Sequence, residues 1–189
     1  MENSNNLDKK NSLKINQLLL DLNSGIPAKI SSSLKAFQVN GNISILRPLA
    51  ELLKTDLTLD SENEVLEFLG DLKSTQVKEE IISILRDENF LNQRQKLLTT
   101  IWNCKVDYSD YIAEFVEIAC DGNFMEAFEC LTILENLDGP FQEQHILECH
   151  LHLKEYLEDT TTAKDAQKAN IMSDIALLIR DFDLNTDED

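Results

Sequence analysis

Residues 33–54, SLKAFQVNGNISILRPLAELLK, and residues 65–86, VLEFLGDLKSTQVKEEIISILR, lie over one another without a gap. Leu34 falls on Leu66, Phe37 on Leu69, Ile45 on Val77, Leu49 on Ile81 and Leu53 on Leu85, at an offset of 32 residues. Within each copy the apolar residues recur every three or four positions on both sides of a polar break. That is the pattern of two amphipathic helices joined by a turn. A third copy keeps the offset in its first helix, where Leu98 and Ile101 follow Leu66 and Leu69. Its loop is two residues longer, so Tyr111, Phe115, Val116 and Ala119 follow Val77, Ile81, Ile82 and Leu85. A fourth places Leu131 and Leu134 after Leu98 and Ile101.

One helix pair cannot bury its own apolar face, so a two-helix period of about 32–36 residues predicts pairs that stack. The expected fold class is all-α, a right-handed α-solenoid of about four helix pairs with capping helices at both ends. The pairs are expected at 26–54, 61–86, 89–121 and 123–157, within a repeat region of 12–159. A capping helix is expected over 12–23 and another over 160–182, between a disordered tail at 1–11 and an acidic tail at 183–189.

Local signals place the helix ends. Gly25 and Pro27 separate the first two helices, and Asn40-Gly41-Asn42 reads as a stop followed by a cap. Pro48 falls inside the third helix and is expected to kink it. Ser61 and Glu64 have capping-box spacing, as do Asn123 and Glu126. Ser74-Thr75, Asn89 and Ser109 read as further helix starts, with the helix from Asn89 reaching about Cys104. Asp138-Gly139-Pro140 reads as a sharp junction whose proline opens a long helix.

Composition agrees with helices. Only 5 glycines and 3 prolines occur in 189 residues, fewer than hairpin-rich sheets need at their turns. Hydrophobic residues make up 42% and mean hydropathy is −0.26, the range of a folded, water-soluble chain. No apolar run approaches the roughly 18–20 residues that span a bilayer. The opening residues, Met1 to Asp8, lack the basic-then-apolar order of a secretory signal, so a cytoplasmic protein is expected. Cys104, Cys120, Cys130 and Cys149 are irregularly spaced among apolar neighbours and read as small buried hydrophobes in a reducing compartment.

Charge is divided unevenly. Of 35 acids and 17 bases, residues 1–105 hold 14 and 13, which leaves 21 and 4 in residues 106–189, a net of −17. Between Lys105 and Lys154 there is no Lys or Arg, against eleven Asp and Glu. Nucleic acid and anionic membranes both need a basic footprint, so neither is expected as a partner. A basic protein is the natural complement, although an acidic face also serves solubility.

On these residues the chain resembles HEAT-repeat (HEAT/armadillo-like) proteins. The resemblance rests on the helix pairs of Leu34–Lys54 and Leu66–Arg86, and on the two later pairs, over roughly 26–157. The stretches around Trp102, Asp107-Tyr108-Ser109-Asp110-Tyr111 and Leu137-Asp138-Gly139-Pro140-Phe141 look like small bacterial HEAT-repeat proteins with no assigned activity. The resemblance implies that the second helix of each pair lines a concave face.

Helix 109–121 sorts its residues sharply. Tyr111, Ile112, Phe115, Val116, Ile118 and Ala119 are apolar, while Asp110, Glu114, Glu117 and Asp121 fall on one stripe. Glu148 and Glu155 have a related spacing on the next second helix, whereas helix 75–86 offers Lys78, Glu79 and Arg86. The expected function is a protein-binding scaffold or adaptor that uses these six acids on a basic partner segment, without catalysis. Alternatives are an enzyme-accessory or lyase-type protein acting on a small group, and a structural subunit of a larger complex.

No motif for a phosphate-cradling loop, a nucleophile elbow or a zincin helix is present, and no cofactor is expected. His145, Cys149 and His152, spaced i, i+4 and i+7, share one helical face and are the only candidate metal ligands beside a reading as buried or boundary side chains. Trp102, Tyr108 and Phe141 are expected to fill gaps between repeats, and Arg94 to pair with an acid of the neighbouring repeat.

Overall fold

The computed structural model describes residues 13–40, 43–72, 76–102, 104, 106–159 and 165–186. Its regular elements among these residues are all helical. The chain divides into two compact units, the first ending at Leu72 and the second beginning at Lys73.

The first unit holds α1 (residues 13–22), α2 (Pro27–Asn40), α3 (Leu46–Leu52) and α4 (Leu59–Gly70), with a 3-10 turn at Ile43–Ile45 leading into α3. Gly25, at φ +68, makes the turn between α1 and α2, a conformation that favours a residue without a Cβ. Helix α2 packs on α4. Leu22, Ile30, Leu34, Phe37, Leu49 and Val65 are buried. Each fully buried side chain of this size contributes about 1.5–3 kcal/mol.

Two local expectations are corrected here. Pro48 does not kink a helix interior. It sits in the first turn of α3, where backbone N–H groups have no intrahelical acceptor and none is lost. The cap of α4 is Thr58 rather than Ser61: the Thr58 side chain accepts from the Ser61 N–H, and the helix begins at Leu59. Ser61 is buried one turn inside it. The tail at 1–11 and the pair Gly41-Asn42 lie outside the described residues.

The second unit holds α5 (Val77–Arg86), α6 (Leu91–Leu98), α7 (Ile112–Asp121), α8 (Phe124–Glu135), α9 (Glu143–Glu158) and α10 (Ala166–Thr186). Packing links neighbours in sequence, α5 with α6, α7 with α8 and α9 with α10. It also links three pairs of alternate helices, α6 with α8, α7 with α9 and α8 with α10.

Hydrogen bonds also link residues on and beside alternate helices at intervals of 31 or 32. Lys78 Nζ donates to Asp110 Oδ2 at 3.2 Å and Gln142 Nε2 to Asp110 Oδ1 at 3.5 Å. Arg94 Nε donates to Glu126 Oε1 at 2.6 Å, and the Cys120 thiol donates to the His152 carbonyl at 3.6 Å. All four links join residues 32 apart; a fifth, Arg86 to Glu117, joins residues 31 apart. The interval read from apolar positions therefore also recurs between hydrogen-bonded residues.

Several ends differ from expectation. Helix α6 stops at Leu98, short of Cys104, and the Thr99 and Thr100 hydroxyls turn back onto the carbonyls of Lys96 and Leu97. Side-chain bonds of this kind compete with helix continuation. Its start is a 3-10 turn at Glu88–Phe90 capped by Asp87. Ser109 does not cap α7. It opens a 3-10 turn, and Asp107 accepts from both its N–H and its hydroxyl, at 3.0 and 2.6 Å. Helix α9 begins at Glu143, three residues after Pro140. Gly139 there has φ +74, and the Gly139–Pro140 bond is cis. Helix α10 runs on to Thr186, so residues 183–186 of the expected tail are helical. Ser74-Thr75, residues 160–164 and 187–189 lie outside the described residues. The Asn123–Glu126 capping box stands as expected, with both reciprocal bonds present.

Candidate functional site

Helix α7 is placed by its apolar side. Ile112, Phe115, Val116, Ile118 and Ala119 are buried, and Tyr108 below them meets Phe115 edge-on with centroids 6.0 Å apart. Asp110, Glu114, Glu117 and Asp121 are left on the outer side. Asp110 and Glu117 are not bare carboxylates. Lys78 reaches Asp110, and Arg86 reaches Glu117 at 3.1 Å, both from α5. Such exposed pairs contribute about 0–1 kcal/mol each. They lower the charge of the stripe without fixing the fold. Glu114 is half-buried and Asp121 exposed.

Helix α9 brings the other two acids alongside. Glu148 accepts from Gln144 Nε2 at 3.0 Å, and Glu155 is exposed. Burial pushes the Cys120 thiol up to about 12; the Lys168 ammonium opposes this, and Asp121, Glu117 and Glu155 reinforce it. Burial likewise pushes Cys149 up to about 12, with Glu114 and Glu148 adding to the effect. Helices α7 and α9 pack on one another, and the Cys120 thiol of α7 meets the His152 carbonyl of α9. Asp110, in the 3-10 turn before α7, lies beside Gln142 at 3.5 Å, just before α9.

An acid at the last position of a helix meets the negative end of its dipole. Lys168 of α10 compensates. Its ammonium donates to the carbonyls of Cys120 and Gly122, both at 2.6 Å, and lies 5.1 Å over the Tyr156 ring. On the neighbouring corner Glu126 accepts from Arg94 with one oxygen and from the Asn123 N–H, at 2.8 Å, with the other. The turn from α7 to α8 is therefore held by cations of α6 and α10. The role of Lys168 is not visible in spacing, because its partners are backbone carbonyls. Arg94 does pair with an acid one interval on, as expected.

The histidine and cysteine trio is not drawn together as a ligand set. Cys149 is wholly buried. His145 is half-buried, with Nδ1 buried and unpartnered, and His152 is half-buried with its carbonyl taking the Cys120 thiol. Among the described residues no three His, Cys, Asp or Glu side chains form a group able to hold a metal ion. His150 turns toward α10, where Nε2 lies 3.6 Å from Asp183 Oδ2.

Two of the three aromatics are packed. Tyr108 is buried, and Phe141 stacks on Phe182 of α10 with centroids 4.0 Å apart. Trp102 instead lies 43% exposed beyond the end of α6, where the helix has already stopped. No helix among the described residues is long and apolar enough to cross a membrane. Comparison with protein-family models, with curated proteins and with solved structures finds no match to the chain.

Proposed function

We propose that the chain is a HEAT- or armadillo-like repeat scaffold that binds a basic segment of a partner protein through the acids of α7 and α9, without catalysis. The observation that carries this reading is the packing of α7, with its acidic stripe, against α9, which bears Glu148 and Glu155. The sequence supports it, since residues 106–153 contain no Lys or Arg. The right-handed stack of helix pairs is part of the same proposal. It is supported by the packing of alternate helices and the 31- to 32-residue bonds between them. A cytoplasmic setting fits four cysteines that are free thiols.

Two of the six acids are already engaged within the chain. Asp110 and Glu117 already hold Lys78 and Arg86, so an incoming cation must compete there. Glu114, Asp121, Glu148 and Glu155 carry the recognition. The triple reversal Glu114→Lys, Asp121→Lys and Glu148→Lys should abolish binding of a fluorescent Lys/Arg-rich peptide measured by anisotropy, with far-UV circular dichroism unchanged. The wild-type affinity should fall steeply with added salt. Peptide affinity that survives the reversal, or ignores salt, refutes the proposal.

A further inference from the structure

We infer that the partner segment is a basic amphipathic helix, with apolar residues seated on an exposed leucine ridge of α9 and basic residues on the acids beside it. This rests on the acidic-face reading and adds a shape and a second chemistry to it. Leu147 and Leu151 are 69% and 53% exposed and one helical turn apart, so they form a continuous outward ridge. Large apolar side chains exposed together on a charged helix mark a contact surface more often than scattered single ones do.

The ridge is bordered by carboxylates on both sides. On the side that turns toward α7, where the His152 carbonyl takes the Cys120 thiol, the helical register of α9 places Glu148 and Glu155. Toward α10 lies Asp183, beside His150. Lys154 closes the ridge near its end and is turned to Glu158, 3.9 Å away.

Charge decides the occupant. A second copy of a chain with net charge −18 brings the same acids to the same place and is repelled. A partner with cationic flanks is attracted. An i, i+4 ridge packs against the matching rows of another helix, which offers apolar side chains at i, i+3, i+4 and i+7. Leucines in the middle and lysines or arginines at the edges satisfy all of these features at once.

The test uses the full chain and two synthetic peptides of identical composition. One places leucines at i, i+4, i+7 and i+11 with lysines on either flank; the other is shuffled to destroy that stripe. Affinity is read by anisotropy at two salt concentrations, with the melting temperature and circular dichroism of each variant as folding controls. The striped peptide should bind about tenfold tighter or more than the shuffled one. Leu147→Ser with Leu151→Ser should erase that difference, and Glu148→Lys with Glu155→Lys should weaken both peptides. Equal, salt-sensitive binding of both peptides that ignores the leucine changes overturns the inference and leaves the acidic-face reading standing. Failure of both peptides to bind overturns both. Sedimentation that shows a dimer dissolved by the leucine changes assigns the ridge to a second copy and also overturns the inference.

Discussion

Replacing Arg94 with methionine tests whether the corner between α7 and α8 is held by charge. Methionine keeps most of the aliphatic volume and removes the guanidinium. The Arg94 and Glu126 side chains are 11% and 6% exposed, and Nε lies 2.6 Å from Oε1. After the change Glu126 remains in the core with the Asn123 N–H, at 2.8 Å, as its remaining hydrogen bond in the capping box. Removing one partner of a buried ion pair costs about 3–5 kcal/mol, because the other charge stays desolvated. For a unit of this size that corresponds to a drop in melting temperature of roughly 12–20 °C. Glu126→Gln retains a side-chain acceptor for the capping box, so the double variant Arg94→Met/Glu126→Gln removes both charges and keeps the cap. It should recover about 2 kcal/mol or more relative to Arg94→Met alone in urea unfolding at pH 7. A single-variant loss under about 1 kcal/mol, or strictly additive effects, refutes the argument, since a surface-like pair behaves that way.

Raising the pH should destabilise the fold. Burial holds Cys120 and Cys149 up to about 12 and raises Cys130 as well, while unfolded thiols ionise near about 8.5. Above that pH the folded state binds more protons than the unfolded one, so unfolding free energy falls by about 1.4 kcal/mol per pH unit for each fully buried thiol. Lys168, whose pKa burial lowers, works the other way over the window just below its ordinary value and offsets part of the loss. Urea titrations from pH 8 to 10 should show the decline, and Cys130→Ala should make it shallower; a flat or rising profile contradicts the assignment. Lys168→Met strips donors from two helix-end carbonyls and should cost about 1–3 kcal/mol by thermal unfolding, with an unchanged melting temperature as the contrary result. Gly122→Ala should cost about 1–3 kcal/mol by overpacking, because a Cβ there stands 2.7 Å from both Glu126 Oε2 and the Ile118 carbonyl. Its φ is −75, so full stability in the alanine variant means the corner has room to give.

The helices were legible because burial follows the apolar interval. Phe37, Ile45, Leu49, Leu53, Leu69, Val77, Ile81, Leu85, Leu98, Phe115 and Leu134 are all buried where the repeat alignment puts them. Leu66 and Tyr111 are half-buried, at positions that fit the pattern equally well. Helix ends were less legible, because several residue types able to cap stood within a few positions of one another. Thr58 competes with Ser61, and Asp107 with Ser109; the chain geometry chooses between them. The acids of α7 were visible as a stripe, but the bases that partly neutralise it lie on another helix and show only when the interval is applied to charges. Lys168 carries no such signal, since it bonds to carbonyls that every residue possesses.

The bonds between alternate helices also set a limit on how this chain can change its length. Positions 78, 110 and 142 occupy successive stations, joined through Asp110. One residue inserted in α7 between Tyr111 and Glu117 rotates everything after it by about 100°. Glu117 then leaves Arg86, and Cys120 leaves the His152 carbonyl, so neighbouring helices lose register together. On the repeat architecture proposed above, an edit of a whole interval behaves differently, because it delivers each side chain to a place shaped for its counterpart. Under that proposal, growth or loss by complete helix pairs is the change in length that this part of the chain would absorb without renegotiating its contacts.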